Sequence, residues 1–257
     1  MRELRFRVAR SNSMRQTHQR GIAIAPILYI VAILAVLVSA IAAGSGSFTG
    51  DTSAISAKAQ ATAILEYADS VKMGVDRVLG KGYTDTQVSF EDPSGLSKMN
   101  GGTAYDYTNP NCTQNDCKVF NPDGGGIVPI LIPADAAVDP SIVGSGYMHP
   151  QSFIVTRGRV LNLGTDTGTD GTDIILWVGR LKESVCMSIN DILGIPNPGG
   201  KPPYDPWSCS SPFKGTYALC SNPVGDSVPA LAGKQAFCVG NDGEETSNIF
   251  MRVLIVR

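Results

Sequence analysis

The chain has 257 residues, a formal net charge of −2, and 28 glycines and 16 prolines against only 17% charged residues. This composition favours a loop-rich, β-containing extracytoplasmic fold over a helical cytosolic enzyme. Residues 1–21 hold six arginines and one glutamate, a net charge of +5, so the rest of the chain carries −7. An acidic domain lacks the basic surface that nucleic acids require, which excludes nucleic acid as a partner.

Residues 22–43 form an uncharged apolar run directly after the basic segment. As a helix, 22 residues span about 33 Å, enough to cross the ~30 Å hydrocarbon core of a bilayer. Because arginines beside such a helix stay in the cytoplasm, residues 1–21 are predicted to be a basic cytoplasmic leader. We therefore expect a single-pass inner-membrane protein whose C-terminal domain is periplasmic or extracellular.

The basic segment ends in Thr17-His18-Gln19-Arg20-Gly21, and this junction resembles the leader junction of type IV pilin-like proteins. In that family a peptidase cuts after the glycine and the exposed helix packs into a filament core. The resemblance implies processing between Gly21 and Ile22. Most pilins carry glutamate at the fifth residue after the cut, where this chain has Pro26. Tip-located pseudopilins of type II secretion systems also lack that glutamate.

Two other outcomes of processing are open. Ala40-Ile41-Ala42 has the small-x-small pattern of a signal-peptide cleavage site, although the apolar run is longer than a signal peptide usually needs. The leader is therefore cut after Gly21, cut after Ala42, or retained.

Residues 44–82 are predicted to be a hinge followed by an amphipathic helix. Gly44-Ser45-Gly46-Ser47 interrupts the apolar run, Asp51-Thr52-Ser53 offers N-caps, and Gly80 and Gly82 supply the stop. Apolar residues recur with a period near 3.6 along one face, namely Ile64, Leu65, Ala68, Val71, Val75, Val78 and Leu79.

Residues 83–257 are predicted to form an extracytoplasmic β-rich domain with disulfide bonds. Short apolar runs between turn residues predict strands at 127–132, 152–156, 159–163, 173–178 and 249–256. A short helix is predicted over 181–193, ending at Gly194, with Val185, Ile189, Ile192 and Leu193 facing inward. Residues 194–206 predict a surface loop. The fold class is α+β, with the amphipathic helix packed on an antiparallel sheet.

The chain also resembles a group of uncharacterised, membrane-anchored envelope proteins of alphaproteobacteria. The resemblance rests on the apolar N-terminal helix, the helix ending near Gly82, and the segments 119–126, 185–190 and 253–257. It implies a bacterial envelope protein and brings no established activity.

All six cysteines follow the apolar run, which is typical of disulfide bonds in an oxidising compartment. Cys112 and Cys117 enclose four residues and would clamp a loop. The other four cysteines allow three pairings, of which we prefer Cys186–Cys238 and Cys209–Cys220.

Candidate chemistry is sparse. Asp166, Asp170 and Asp173 lie in a glycine-containing segment that could bind calcium, and a hairpin turn is the alternative interpretation. The glycine-rich segment 121–126 lacks the Lys-Ser/Thr of a phosphate loop and predicts a turn. His149 is the only histidine after the apolar run, so no catalytic site is recognisable and we expect no enzyme.

We therefore expect a structural pilin-like or pseudopilin-like subunit that packs through its N-terminal apolar helix. Its partners would be the membrane and other pilin-like subunits, or further copies of itself. The alternative is a monomeric, membrane-anchored periplasmic binding or adhesin-like module that uses the loop 194–206 or the turn 166–173.

Overall fold

The computed structural model describes residues 48–165, 171–206, 211–240 and 248–257. Within these ranges Thr52–Arg257 forms one compact unit. The predicted leader, membrane segment and hinge, residues 1–47, lie outside the described residues. In the part of the chain that is described, no helix has the length and apolarity needed to cross a membrane.

Helix α1 spans Phe48–Gly80, and its 33 residues are about 50 Å long at 1.5 Å per residue. Its predicted apolar face is confirmed, because burial follows one side of the helix: Ala57, Ala61, Ile64, Ala68, Val71, Val75 and Val78. The predicted N-caps at residues 51–53 are wrong, since the helix begins three residues earlier. The predicted stop is confirmed: α1 ends at Gly80, and Gly82 follows with φ of +95°.

Four strands form one antiparallel sheet in the order β1-β2-β4-β3. They are β1 (Phe153–Gly158), β2 (Asp173–Leu181), β3 (Ala236–Val239) and β4 (Asn248–Ile255). The strands predicted at 152–156, 173–178 and 249–256 correspond to β1, β2 and β4. The sheet is buried on both faces at its centre, where Leu176 and Trp177 of β2 are 0% and 6% exposed. A helix packed on an antiparallel sheet confirms the α+β class.

The strand predicted at residues 127–132 is wrong. This segment runs beside α1 and has no strand partner, because Pro129 has no N–H to donate to a sheet. The side chain of Ile127 lies so close to Gly74 of α1 that a Cβ added there would be 2.4 Å from Ile127 Cγ1. Ile127 therefore packs on the helix, whereas Val128 and Ile130 are 74% and 46% exposed.

The strand predicted at residues 159–163 is also wrong. After β1 the chain turns, with Asn162 at φ of 58°, and only Val160 makes a bridge, to Val224. Strand β3 was missed because it has only four residues and forms an edge of the sheet.

Helix α1 lies against one face of the sheet. The ring of Tyr67 meets that of Phe153 edge-on at 6.2 Å, and Asp69 pairs with Arg252 of β4 at 3.0 Å. These two contacts reach strands on both sides of β2, so α1 crosses the middle of the sheet.

Helix α2 spans Glu183–Leu193 and covers the outer edge of β3. The Asn190 amide replaces a neighbouring strand, because its Nδ2 donates to Cys238 O at 2.9 Å and its Oδ1 accepts from Cys238 N at 2.9 Å. Gly194 ends the helix in the left-handed conformation, as predicted. One predicted inward residue is wrong, since Ile192 is 41% exposed while Cys186 is buried in its place.

The other edge of the sheet, β1, is covered by loops. Val155 donates its N–H to Tyr107 Oη at 2.9 Å, and its carbonyl accepts from Phe213 N at 2.9 Å. Both edges of the described sheet therefore have partners within the chain.

Candidate functional site

Two predicted disulfide bonds are present. Cys112 pairs with Cys117 and Cys186 pairs with Cys238, with Cα–Cα distances of 5.8 Å and 5.4 Å. Cys220 is also disulfide-bonded, and its predicted partner Cys209 lies outside the described residues. The Cys186–Cys238 bond fixes α2 beside the strand edge that Asn190 covers.

The proposed calcium ligands are only partly described. Asp173 is buried, and its two carboxylate oxygens accept from Val160 N and Arg257 N, both at 3.2 Å. Asp166 and Asp170 lie outside the described residues. Elsewhere in the described ranges, no group of three or more His, Cys, Asp or Glu side chains could hold a metal ion. Calcium at this turn stays a prediction.

Of the remaining sequence candidates, Gly21 and Ile22 lie outside the described residues. His149 belongs to a turn, where its Nδ1 accepts from Gln151 N at 3.2 Å. Partial burial, together with the charge of Lys98, lowers the pKa of the His149 imidazole. The hydrogen bond from Gln151 N shows that the ring takes part in the turn.

The glycine-rich segment 121–126 closes the C-terminal end of α1. Arg77 Nη1 donates to Gly125 O at 2.9 Å, and Lys81 Nζ donates to Gly124 O at 3.3 Å. A Cβ on Gly124 would lie 1.9 Å from Lys118 O, so only glycine fits at this position. The turn interpretation is confirmed, and the segment holds the end of α1 against residues 118 and 119.

The loop 194–206 contains only one short helical turn, Pro198–Gly200. Asn197 ties it to α2 by donating to Met187 O at 3.1 Å, and its Oδ1 accepts from Asn190 Nδ2 at 3.0 Å. Near its other end Asp205 is buried and accepts from Gly225 N at 2.7 Å. This burial raises the pKa of the Asp205 carboxyl. The loop is thus anchored to the domain at both ends.

The side of α1 opposite the sheet is open to solvent. Met73 and Ile55 are 61% and 60% exposed, and the neighbouring segment beside the helix exposes Val128 at 74%. Lys72 and Asp76 form an i,i+4 ion pair on the same helix. The exposed side of α1 is therefore a mixed apolar and charged surface.

A cleft of about 300 Å³ lies between three loops of the domain. It is lined by residues 91–93, 105–108, 118, 120 and 121. Two of the loops are joined by a parallel bridge, in which Ser89 N donates to Cys117 O at 3.0 Å and Val119 N donates to Ser89 O at 2.9 Å. This bridge places Glu91 beside Lys118, and the Cys112–Cys117 bond secures it.

Aromatic rings connect the cleft to the core. Phe120 is buried against Phe153 with ring centroids 5.5 Å apart. The Tyr107 hydroxyl lies 2.8 Å from Ser97 Oγ, and its ring meets that of Tyr105 edge-on at 6.5 Å. Tyr105 is half-buried, which raises the pKa of its hydroxyl.

The charged groups of the cleft are paired with one another or with neighbouring donors. Lys118 Nζ lies 2.8 Å from Glu91 Oε2. Asp106 pairs with Lys214 and accepts from Thr108 N at 2.9 Å, and hydrogen bonds with these two residues lower the pKa of its carboxyl. Sequence reasoning missed this site because its residues come from separate loops without periodicity or a motif.

No family model, curated protein or solved structure matches this chain.

Proposed function

We propose that this protein is a pilin-like or pseudopilin-like structural subunit of the bacterial envelope, which packs through its N-terminal apolar helix. The observation that carries the proposal is the order of elements along the chain. A leader junction of the pilin type and an apolar run precede α1, and α1 presents one face to an antiparallel sheet while its other face stays exposed.

The covered sheet edges support assembly through helices. Asn190 covers Cys238 at the edge of β3, and Phe213 bonds Val155 at the edge of β1. These contacts within the chain reduce the backbone edge that is open for pairing with another subunit. Helix α1 begins at Phe48, shortly after the apolar run 22–43 in the sequence. A subunit built in this way makes its contacts through the long N-terminal helix.

Pro26 bears on the position of the subunit in an assembly. The glutamate that major pilins use at this position is absent, so we place the protein at a tip or among minor subunits rather than in a repeating filament.

N-terminal sequencing of the mature protein tests the processing step. A chain that begins at Ile22 supports the proposal, and a Gly21→Leu variant should then retain Met1. A wild-type chain that begins at Met1 or Ala43 would refute it.

Photo-crosslinking in intact membranes tests the assembly. A photoreactive residue at Leu34 should give a discrete adduct with another subunit, whereas one at the exposed Leu219 should not. If neither position gives an adduct, the result favours the rival function, a monomeric membrane-anchored binding module.

A further inference from the structure

We propose that the cleft between residues 91–93, 105–108 and 118–121 binds a neutral pyranose unit of a carbohydrate. The cleft lies wholly within the compact unit Thr52–Arg257. The inference therefore stands whether or not the chain assembles through its N-terminal helix.

The size and lining of the cleft suit one small ligand. Its volume of about 300 Å³ is at the lower end of the range for ligand pockets. Phe120 is 4% exposed and forms a rigid part of the floor through its contact with Phe153. Tyr105 is half-buried and Pro93 is exposed, so both add apolar surface to the cleft. Such surface packs well against the C–H groups on one face of a pyranose ring.

The charge distribution favours a neutral ligand. Glu91 is paired with Lys118, and Asp106 is paired with Lys214. Asp92 accepts from Ser94 N at 2.9 Å and, through its other oxygen, from Ser97 N at 2.7 Å. Because these groups already have partners, an ionic ligand gains less from them than from an unpaired charge, whereas a neutral ligand leaves the pairs in place.

Hydrogen-bonding capacity remains after these pairs are formed. Lys118 keeps donors and Glu91 keeps acceptors beyond their mutual contact, and the two groups are 2.8 Å apart. Adjacent hydroxyls of a sugar match this arrangement, because one can donate to the carboxylate while the next accepts from the ammonium. Within the described residues, the Tyr105 hydroxyl has no hydrogen-bond partner, so it can also bind a sugar hydroxyl.

The position of the cleft allows it to bind a unit within a longer glycan. Asp106 and Thr108 at its rim are exposed, so a substituent on the bound ring can continue into solvent. The Cys112–Cys117 bond lies directly before Lys118 in the chain and holds the loop in register. We infer that this bond positions Lys118 for binding.

Saturation-transfer NMR on the full-length protein in lipid nanodiscs, free of sugar-headgroup detergent, tests the proposal. The probes are methyl glycosides of glucose, galactose, mannose and N-acetylglucosamine, with glucuronate and ethanolammonium as charged comparisons. We expect at least one neutral glycoside to bind and the charged probes to bind more weakly. Binding of no neutral glycoside, or stronger binding of a charged probe, would overturn the proposal.

Substitutions in the cleft test whether the sugar binds there. Tyr105→Leu should weaken binding of the neutral glycoside about tenfold or more, because it removes both the ring and the hydroxyl. Tyr204→Leu is the matched control, since Tyr204 is 51% exposed and lies outside the cleft. Glu91→Gln keeps the side-chain shape and should weaken binding even if Tyr105→Leu unfolds. Unchanged binding in folded cleft variants would place the sugar elsewhere and refute the site.

Discussion

Removal of the Cys186–Cys238 bond should destabilise the domain about twice as much as removal of Cys112–Cys117. The two bonds close loops with sequence separations of 52 and 5. In the loop-entropy treatment these separations correspond to about 4 and about 2 kcal/mol of unfolding free energy at 25 °C. All four cysteines are buried, so loss of packing in the double alanine variants adds to both values.

Urea unfolding of the full-length protein in nanodiscs measures this difference. Trp177 is 6% exposed in the middle of the sheet, and a Trp207→Phe background leaves it as the only tryptophan of the chain. Subtracting the signal of empty nanodiscs isolates its fluorescence. With a urea dependence of about 2 kcal/mol per molar, the midpoints should fall by about 2 M and about 1 M. The loop-closure explanation would be refuted by equal shifts of the two urea midpoints. It would also be refuted if removal of the Cys112–Cys117 bond gave the larger shift.

Three further changes test individual contacts by the same unfolding assay. Asn190→Ala should lower the free energy of unfolding by about 2–4 kcal/mol, because it leaves a buried N–H and a buried C=O of β3 without partners. A loss below about 1 kcal/mol would mean that water takes the place of the amide. Gly124→Ala should destabilise the protein by at least about 2 kcal/mol, since its Cβ would lie 1.9 Å from Lys118 O. The control Gly80→Ala has open space around it and should change the stability by less than about 1 kcal/mol. Similar values for the two variants would contradict the close packing at Gly124. The pKa of Asp205 is raised in the folded state, so ionisation of its carboxyl opposes folding. The wild type should therefore gain stability relative to Asp205→Asn as the pH falls from 7 to 4. A stability difference that does not change with pH would show that ionisation of Asp205 does not oppose folding.

The two helices could be predicted because the apolar pattern of α1 is long and because α2 is followed by a glycine that ends it. Helix α1 repeats buried residues over six turns, and a glycine follows directly on the last residue of α2. The start of α1 was not predictable from residues 51–53. Serine, threonine and aspartate favour N-caps, but their preference does not prevent a helix that begins earlier from continuing through them.

The strands could be predicted only in part from local sequence patterns. Three of the four predicted runs without proline became β1, β2 and β4, while the run at 159–163 turns at Asn162. The run at 127–132 contains Pro129 and packs Ile127 on α1. Its apolar character was predicted correctly, but its partner was not, since a sequence does not state which surface an apolar run will cover. The cleft was unpredictable for the same reason, because Glu91, Tyr105 and Lys118 come from separate loops. Two bridges, Ser89–Lys118 and Lys98–Ala104, order these loops.

From the cover over strand β3 we expect the solubility of this protein to depend on its redox environment. One side chain, Asn190, occupies the strand edge, and the bond from Cys186 holds its helix there. With those cysteines reduced, the helix can leave and expose an edge flanked by buried residues such as Phe237 and Phe250, the kind of edge that templates aggregation. Production in a reducing cytoplasm should therefore yield insoluble protein, whereas export before folding avoids that outcome.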